Sequence, residues 1–375
     1  MKIIRRYPLT IIYSIVVIAF LATYFCKEDT AFLDGENRYL TTRPNASIAG
    51  IMDVSFMESF ERYTEDQLYL RETFIRLKAF LETLCLKQEN NGIVRGKNGY
   101  LFEKLMMPNK QLDKNEAALK VFADGLNRDI NVCIVPNSIE INRSLAPFGI
   151  RSVNQKKEID SLYSMLNDAK NVNAIDVYSD LAEHADEYIY YRTDHHWTTL
   201  GAYYGYAAIV ESMNKKPVEI KALTDNGICV SDFYGTFYSK YKGIGVKPDV
   251  MTYYDIPVES YVVGEVKYDN LYDLSKLDAY DKYAMFLYGN EGMSVIKSAG
   301  SNGDAKDRLI IFKDSYANCM IPFMTYNYDE IIVVDLRYYG ESVSALMNQY
   351  EDADVLLMYN FSFFNEDNHI YRLTS

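Results

Sequence analysis

Four short runs, nearly continuous in Val, Ile and Leu, constrain the fold of this chain more than any other feature. They are Ile130 to Val135, Leu309 to Phe312, Ile331 to Val334 and Val355 to Met358. A strand with one wet face alternates apolar and polar residues, whereas a strand covered on both faces does not. Runs of this kind therefore belong to a sheet packed on both sides. Residues 114–127, 155–169, 316–326 and 342–350 read as the covering helices, with Ile159, Leu162, Tyr163 and Leu166 on one face of the second. A further helix begins at Thr198 or Thr199, either of which can cap it, and runs to about Met213. Val172 to Val177 adds a strand, and Gly99-Tyr100-Leu101-Phe102 a short one. Strands alternating with helices argue for an α/β domain with a mostly parallel sheet.

Other stretches read differently. Leu9 to Cys26 is an uncharged, mostly apolar run preceded by Lys2, Arg5 and Arg6 and closed by Lys27, Glu28 and Asp29. As a helix it is about 27 Å long, close to the roughly 30 Å hydrocarbon core of a bilayer. The leading basic residues keep that end in the cytoplasm and the rest of the chain outside it. No small-x-small cleavage site follows, so a retained signal anchor is expected; a cleaved signal peptide is the competing reading. Residues 27–55 read as a linker. Apolar residues recur at helical spacing from Phe56 to about Lys87, as one or two amphipathic helices. Residues 222–300, rich in Tyr and Gly, read as an irregular β-rich insertion.

The net charge of −13 argues against nucleic acid or anionic lipid as a partner. The 34 tyrosines suit carbohydrate or peptide contact, and equally ordinary packing. Cysteines 26, 85, 133, 229 and 319 form no C-x-x-C pair, so scattered free thiols are the default.

The chemistry concentrates in two places. Asp194-His195-His196-Trp197 holds two of the four histidines and the only tryptophan. Asp194 and His196, two apart, share a side of an extended segment, which lets the carboxylate orient the imidazole. Ser315 lies between the strand ending at Phe312 and the next helix, at the carboxyl end of the sheet where α/β folds place their ligand crevices. The helix start would aim free N–H groups and the positive dipole end at it. Ser315 as a mere helix N-cap is the plainer alternative. A metal site on Asp194, His195 and His196 competes with the triad. Adjacent histidines diverge, however, only His184 and His369 remain, and no H-E-x-x-H is present. No metal and no cofactor are expected.

Taken together, Tyr191-Arg192-Thr193-Asp194-His195-His196-Trp197-Thr198 resembles the signature of the bacterial DHHW protein family. It is also similar to the Asp-x-His-Trp motif of alginate O-acetyltransferases, whose domain resembles the SGNH hydrolases. Gly99-Tyr100-Leu101-Phe102, Val135-Pro136-Asn137, Asp232-Phe233-Tyr234-Gly235-Thr236, Tyr288-Gly289-Asn290, Lys313-Asp314-Ser315-Tyr316-Ala317 and Asp335-Leu336-Arg337-Tyr338 follow in the family's order.

The resemblance implies an SGNH hydrolase-like three-layer domain over residues 56–375, with a helical portion at 56–90 and the insertion at 222–300. Ahead of that domain, the residues themselves give a cytoplasmic tail at 1–8, an anchor at 9–26 and the linker at 27–55. It implies Ser315 as nucleophile, His196 as base and Asp194 as its acid. Asn290 would serve the oxyanion, and Arg337 and Tyr316 the substrate; a structural salt bridge is the other reading of Arg337. The implied activity is O-acetylation of a cell-surface polysaccharide or exopolysaccharide through an acyl-serine, with a membrane-bound O-acyltransferase as donor partner. A carbohydrate esterase with the same triad and a non-catalytic surface protein remain as alternatives.

Overall fold

The computed structural model describes residues 7–33, 35, 38–52, 54–167, 169–221, 226–299 and 307–375, with the side chains of residues 24 and 25 outside that set. The chain divides into two units, Met1–Asn90 with Lys242–Gly245, and Asn91–Tyr241 with Val246–Ser375.

The first unit carries helices α1 (Pro8–Cys26), α2 (Ser55–Asp66) and α3 (Arg71–Leu84). The expected apolar helix therefore forms. Yet among the described residues no helix is long and apolar enough to cross a membrane. The expected transmembrane anchor is corrected to that extent, and the leading Lys2, Arg5 and Arg6 lie outside the described residues. The segment expected as a linker is tied down instead. Asp66, at the end of α2, accepts from Arg38 at 2.6 Å and from Thr41 N–H at 2.8 Å. The Arg38 guanidinium holds its carboxyl down to about 2. Buried Gln67 bonds both Thr30 N–H and the Thr30 and Thr41 carbonyls.

In the second unit the main strands are β1 (Ile130–Val135), β2 (Val172–Ile175), β3 (Val258–Val263), β4 (Val266–Tyr268), β5 (Met293–Ser298), β6 (Arg308–Lys313), β7 (Glu330–Val334) and β8 (Asp354–Asn360). Among the described residues they form one sheet in the order β4-β3-β5-β7-β6-β8-β1-β2. From β7 to β2 every neighbour is parallel. The other three strands add antiparallel at the β7 edge. Part of the stretch expected as an irregular β-rich insertion, the strands β3, β4 and β5, thus extends the main sheet, while Gly227–Phe233 and Asp249–Tyr254 pair in a two-stranded sheet of their own.

Helices α4 (Lys110–Gly125), α5 (Gln155–Leu166), α6 (Thr199–Ser212) and α7 (Val343–Gln349) complete the three layers. Side chains alternate along each strand. Leu309 and Ile311 pack in one core with Tyr206 and Ile209 of α6. Ile310 and Phe312 pack in the other with Phe122, Leu162 and Leu346 of α4, α5 and α7. Each such side chain contributes about 1.5–3 kcal/mol by leaving water. Asn109, Asn154, Thr198 and Ser342 cap these four helices with side-chain acceptors. The layout leaves β6 between two parallel neighbours, with its carboxyl end at the centre of the sheet's rim.

Candidate active site

Ser315 follows β6 by two residues, and its Oγ lies 3.0 Å from His196 Nε2. His196 Nδ1 in turn lies 2.6 Å from Asp194 Oδ1. All three side chains are buried. The structure therefore brings together the three residues expected to act as one relay. With Nδ1–H donating to Asp194, Nε2 carries the lone pair that faces the serine hydroxyl.

The local geometry differs from an extended strand. Tyr190 pairs with Trp197, so the run closes into a tight loop. Asp194 Oδ1 also accepts His196 N–H at 3.0 Å, and this i to i+2 turn brings the side chains together. Asp194 Oδ2 takes the Thr236 N–H at 2.8 Å. Burial alone would raise the Asp194 carboxyl; the two imidazoles and these hydrogen bonds outweigh it and hold it well below the usual carboxylate range. Gly235 makes room for it, since a Cβ there would lie 2.2 Å from Asp194 Cβ. Upstream, buried Asp249 anchors the loop by accepting Thr193 N–H at 2.8 Å, Thr193 Oγ1 at 2.6 Å and Arg192 N–H at 3.0 Å.

Ser315 is not the cap of the element that follows. Asp314 is: its Oδ1 accepts Tyr316 N–H at 2.9 Å, and its Oδ2 accepts Asn360 N–H at 2.8 Å, clamping the turn to the end of β8. Burial pushes the Asp314 carboxyl up to about 6. The expected helix is a 3-10 turn, Ser315–Cys319, followed by a single α turn, Ile321–Met324. Segments this short carry little macrodipole, and one N–H near the serine is already spent on Asp314. The dipole expectation is corrected accordingly.

Asn290 offers a different donor. Lys313, buried at the end of β6, donates to Asn290 Oδ1 at 2.9 Å and Asn318 Oδ1 at 2.8 Å. An ammonium only donates, so it fixes which end of each amide faces it. The Asn290 Nδ2 is thereby turned away from Lys313, and no partner for it occurs among the described residues. Leu287 (φ 53°), Tyr288 (φ 56°) and Gly289 (φ 95°), just before Asn290, all lie in the left-handed region. Strain of this kind, about 1–3 kcal/mol per non-glycine residue, persists only where surroundings enforce it. Buried Leu287 supplies that enforcement, with N–H on Leu271 O and carbonyl on Tyr261. Lys313 also faces Asp335 at 3.5 Å; burial still pulls its ammonium down to about 8.

The two residues expected to meet substrate divide. Tyr316 is fully buried with its hydroxyl on His195 O at 2.6 Å, so it supports the loop and presents no surface to a ligand. Arg337 is held bidentately by Asp335 at 2.8 and 2.6 Å and also lines a cavity, so both readings of it apply. Residues beyond the sequence reading complete the site. Tyr283 stacks on His196 at 3.7 Å and donates to Ser315 O at 3.0 Å. Trp197 donates to Tyr316 O at 2.9 Å, locking the motif to the serine turn. Of these, Trp197 stood in the run the sequence singled out, without a role assigned to it, and nothing marked Tyr283. Asp194, His195 and His196 are the one group among the described residues with ligand atoms close enough to share a cation. Asp194 and His196 are engaged with each other and with Ser315, so a cation would have to break the relay.

The DHHW protein family model matches residues 109–334. Among solved structures, a DHHW family protein from Eubacterium siraeum is 25% identical, with a TM-score of 0.64 over 76% of this chain and 96% of its own. Bacillus cereus PatB1 is 19% identical, with a TM-score of 0.62 over 74% of this chain and 98% of its own. The same protein with a sulfonyl adduct gives a TM-score of 0.60 at 18% identity, over 75% of this chain and 98% of that one. No curated protein matches the chain.

Proposed function

The chain belongs to the DHHW protein family, and on that footing we propose that it is an acyl-transfer enzyme that O-acetylates a polysaccharide through an acyl-serine on Ser315. The observation that carries this reading is the unbroken relay from Asp194 through His196 to Ser315. In the reaction, His196 Nε2 takes the Ser315 proton as Oγ attacks the carbonyl carbon of an acetyl donor. The oxyanion that forms is met by Asn290 Nδ2, and collapse expels the donor alcohol, which leaves with the proton from His196. A sugar hydroxyl then gives its proton to His196 and attacks the acetyl-serine. The new sugar ester departs and Ser315 recovers its proton. Asp194 keeps the imidazole oriented throughout and stabilises the imidazolium.

The setting is part of the proposal. The chain acts outside the cytoplasm, kept at the membrane by its N-terminal segment, where a membrane-bound O-acyltransferase supplies acetyl groups. Exposed Leu9, Ile12, Tyr13, Ile15, Ile18 and Leu21 on α1 support this, since an apolar surface of that extent calls for cover. Cell fractionation with an alkaline wash tests it; recovery of the full chain in the soluble fraction would remove it.

The enzymatic reading is tested with a soluble acetyl ester and a sugar oligomer. Acetyl should appear on the oligomer faster than in water, and the Ser315→Ala variant should do neither. Hydrolysis alone would make the chain an esterase, and no turnover with any donor would leave a binding protein.

A further inference from the structure

The imidazole of His196 has a ring on each side. Tyr283 stacks on it with centroids 3.7 Å apart and planes 11° from parallel. His195 lies 3.8 Å away, its plane tilted by 37°. Edge-on and offset rings keep their centroids roughly 4.5–7 Å apart, so neighbours this close lie over the faces of the imidazole. Two rings cannot share one face without overlapping. They therefore cover opposite faces, and the reacting base is the middle layer of a three-ring stack. Tyr283 and His196 are buried, and the His195 side chain is 19% exposed.

Both outer rings are neutral. His195 Nδ1 faces Asp194 Oδ2 at 3.7 Å, and Nε2 is buried with no partner among the described residues. An imidazolium donates from both nitrogens, and a buried charged N–H left unmet is costly. Burial and the adjacent His196 accordingly pull the His195 ring down to about 4. The Tyr283 hydroxyl donates to Ser315 O at 3.0 Å, and burial holds it well above the ordinary phenol range. When His196 takes the serine proton it becomes a cation inside this stack. Asp194 meets that cation only at the ring's edge, through Nδ1. Its two faces meet the electron-rich faces of neutral rings, which attract a cation, and more strongly where water is excluded.

We propose that His195 and Tyr283 are positioning residues that act through His196, holding the imidazole between Asp194 and Ser315 and stabilising the imidazolium by contact with both of its faces. His195 thereby takes part in the reaction although it touches neither the serine nor the carboxylate by a hydrogen bond. The inference rests on the relay within the acyl-transfer reading, and it is independent of which acceptor takes the acyl group.

The test uses the full chain and two reactions at Ser315. One is turnover of an activated acetyl ester. The other is modification by phenylmethanesulfonyl fluoride, followed by mass: the Oγ–S bond forms, the S–F bond breaks, fluoride leaves, and His196 takes the same serine proton. His195→Leu and Tyr283→Leu should each slow both reactions about tenfold, with KM little changed because the cation is absent from the ground state. His195→Phe restores a ring face and should stay within about threefold of wild type. Phenylalanine bearing one, two or three fluorines at position 195 loses charge from that face at nearly constant shape, so both rates should fall stepwise with fluorination. Should Tyr283→Leu fail to fold, the series at position 195, a partly exposed side chain, decides alone. A flat fluorine series in folded protein, or His195→Phe as slow as His195→Leu, makes the stack mere packing and overturns the proposal. Sulfonylation with the expected ring dependence but no acetyl transfer would refute the enzymatic reading and leave the stack's role standing.

Discussion

Replacing Gly235 by Ala tests the relay without touching any of its three members. The added Cβ would lie 2.2 Å from Asp194 Cβ, 2.3 Å from Oδ2 and 2.6 Å from Cγ. Gly235 does not have positive φ, so the alanine backbone is unstrained and the contact is the whole perturbation. Both flanks of the loop are pinned, Gly235 N–H on Thr193 Oγ1 at 3.1 Å and Thr236 N–H on Asp194 Oδ2 at 2.8 Å. Relief must come from Asp194 moving by about 1 Å, since close-packed interiors do not absorb such overlap otherwise. The 2.6 Å bond to His196 is then lost. A misplacement of about 1 Å costs about 10²-fold in rate, or about 2.7 kcal/mol of transition-state stabilisation. Removing the acid altogether, in Asp194→Ala, should cost about 10⁴-fold. The assay is the kcat for an activated acetyl ester, with thermal melting to confirm that the variant is folded. A folded Gly235→Ala enzyme within twofold of wild type would refute the account of Asp194.

Asn290→Ala should lower kcat about 10²-fold, about 3 kcal/mol, with little change in KM, since its Nδ2 is assigned to a charge that exists only in the transition state. Lys313, pulled down to about 8 by burial, is protonated below that pH and neutral above it. A neutral amine no longer fixes both amides, so the rate–pH profile should fall as pH rises through about 8. Lys313→Arg should move that limb upward, and a limb unmoved in the folded variant would exclude Lys313 as its source. Asp249→Asn puts an N–H₂ against one of the donors now satisfied by the buried carboxylate, and should lower stability by about 1–3 kcal/mol in chemical denaturation.

How much of this was legible depended on distance along the chain. The parallel strands could be read because each is a run of apolar residues bounded by turn residues, and Thr198 announced its helix as a cap. Residues 222–300 could not be placed, because short alternating runs look the same in a free hairpin as in an edge strand. Only pairing with β7, far away in sequence, decides that β5 joins the main sheet. Ser315 and His196 were legible from a motif and a strand-end rule. The turn joining Asp194 to His196 was not, since two residues apart suits a strand and an Asp-initiated turn equally. Nothing local marks Lys313 as buried; its partners are Asn318 in the turn that follows and Asn290 and Asp335 from other segments. Tyr283 was one tyrosine among 34, with nothing local to mark it.

The most direct test of the central claim is peptide mass spectrometry of the chain quenched during turnover of an acetyl donor. One acetyl group should be found on the peptide containing Ser315, absent from the Ser315→Ala variant and discharged when a sugar oligomer is added. An acetyl group that persists in the variant, or that sits elsewhere and is passed to the sugar, would contradict it.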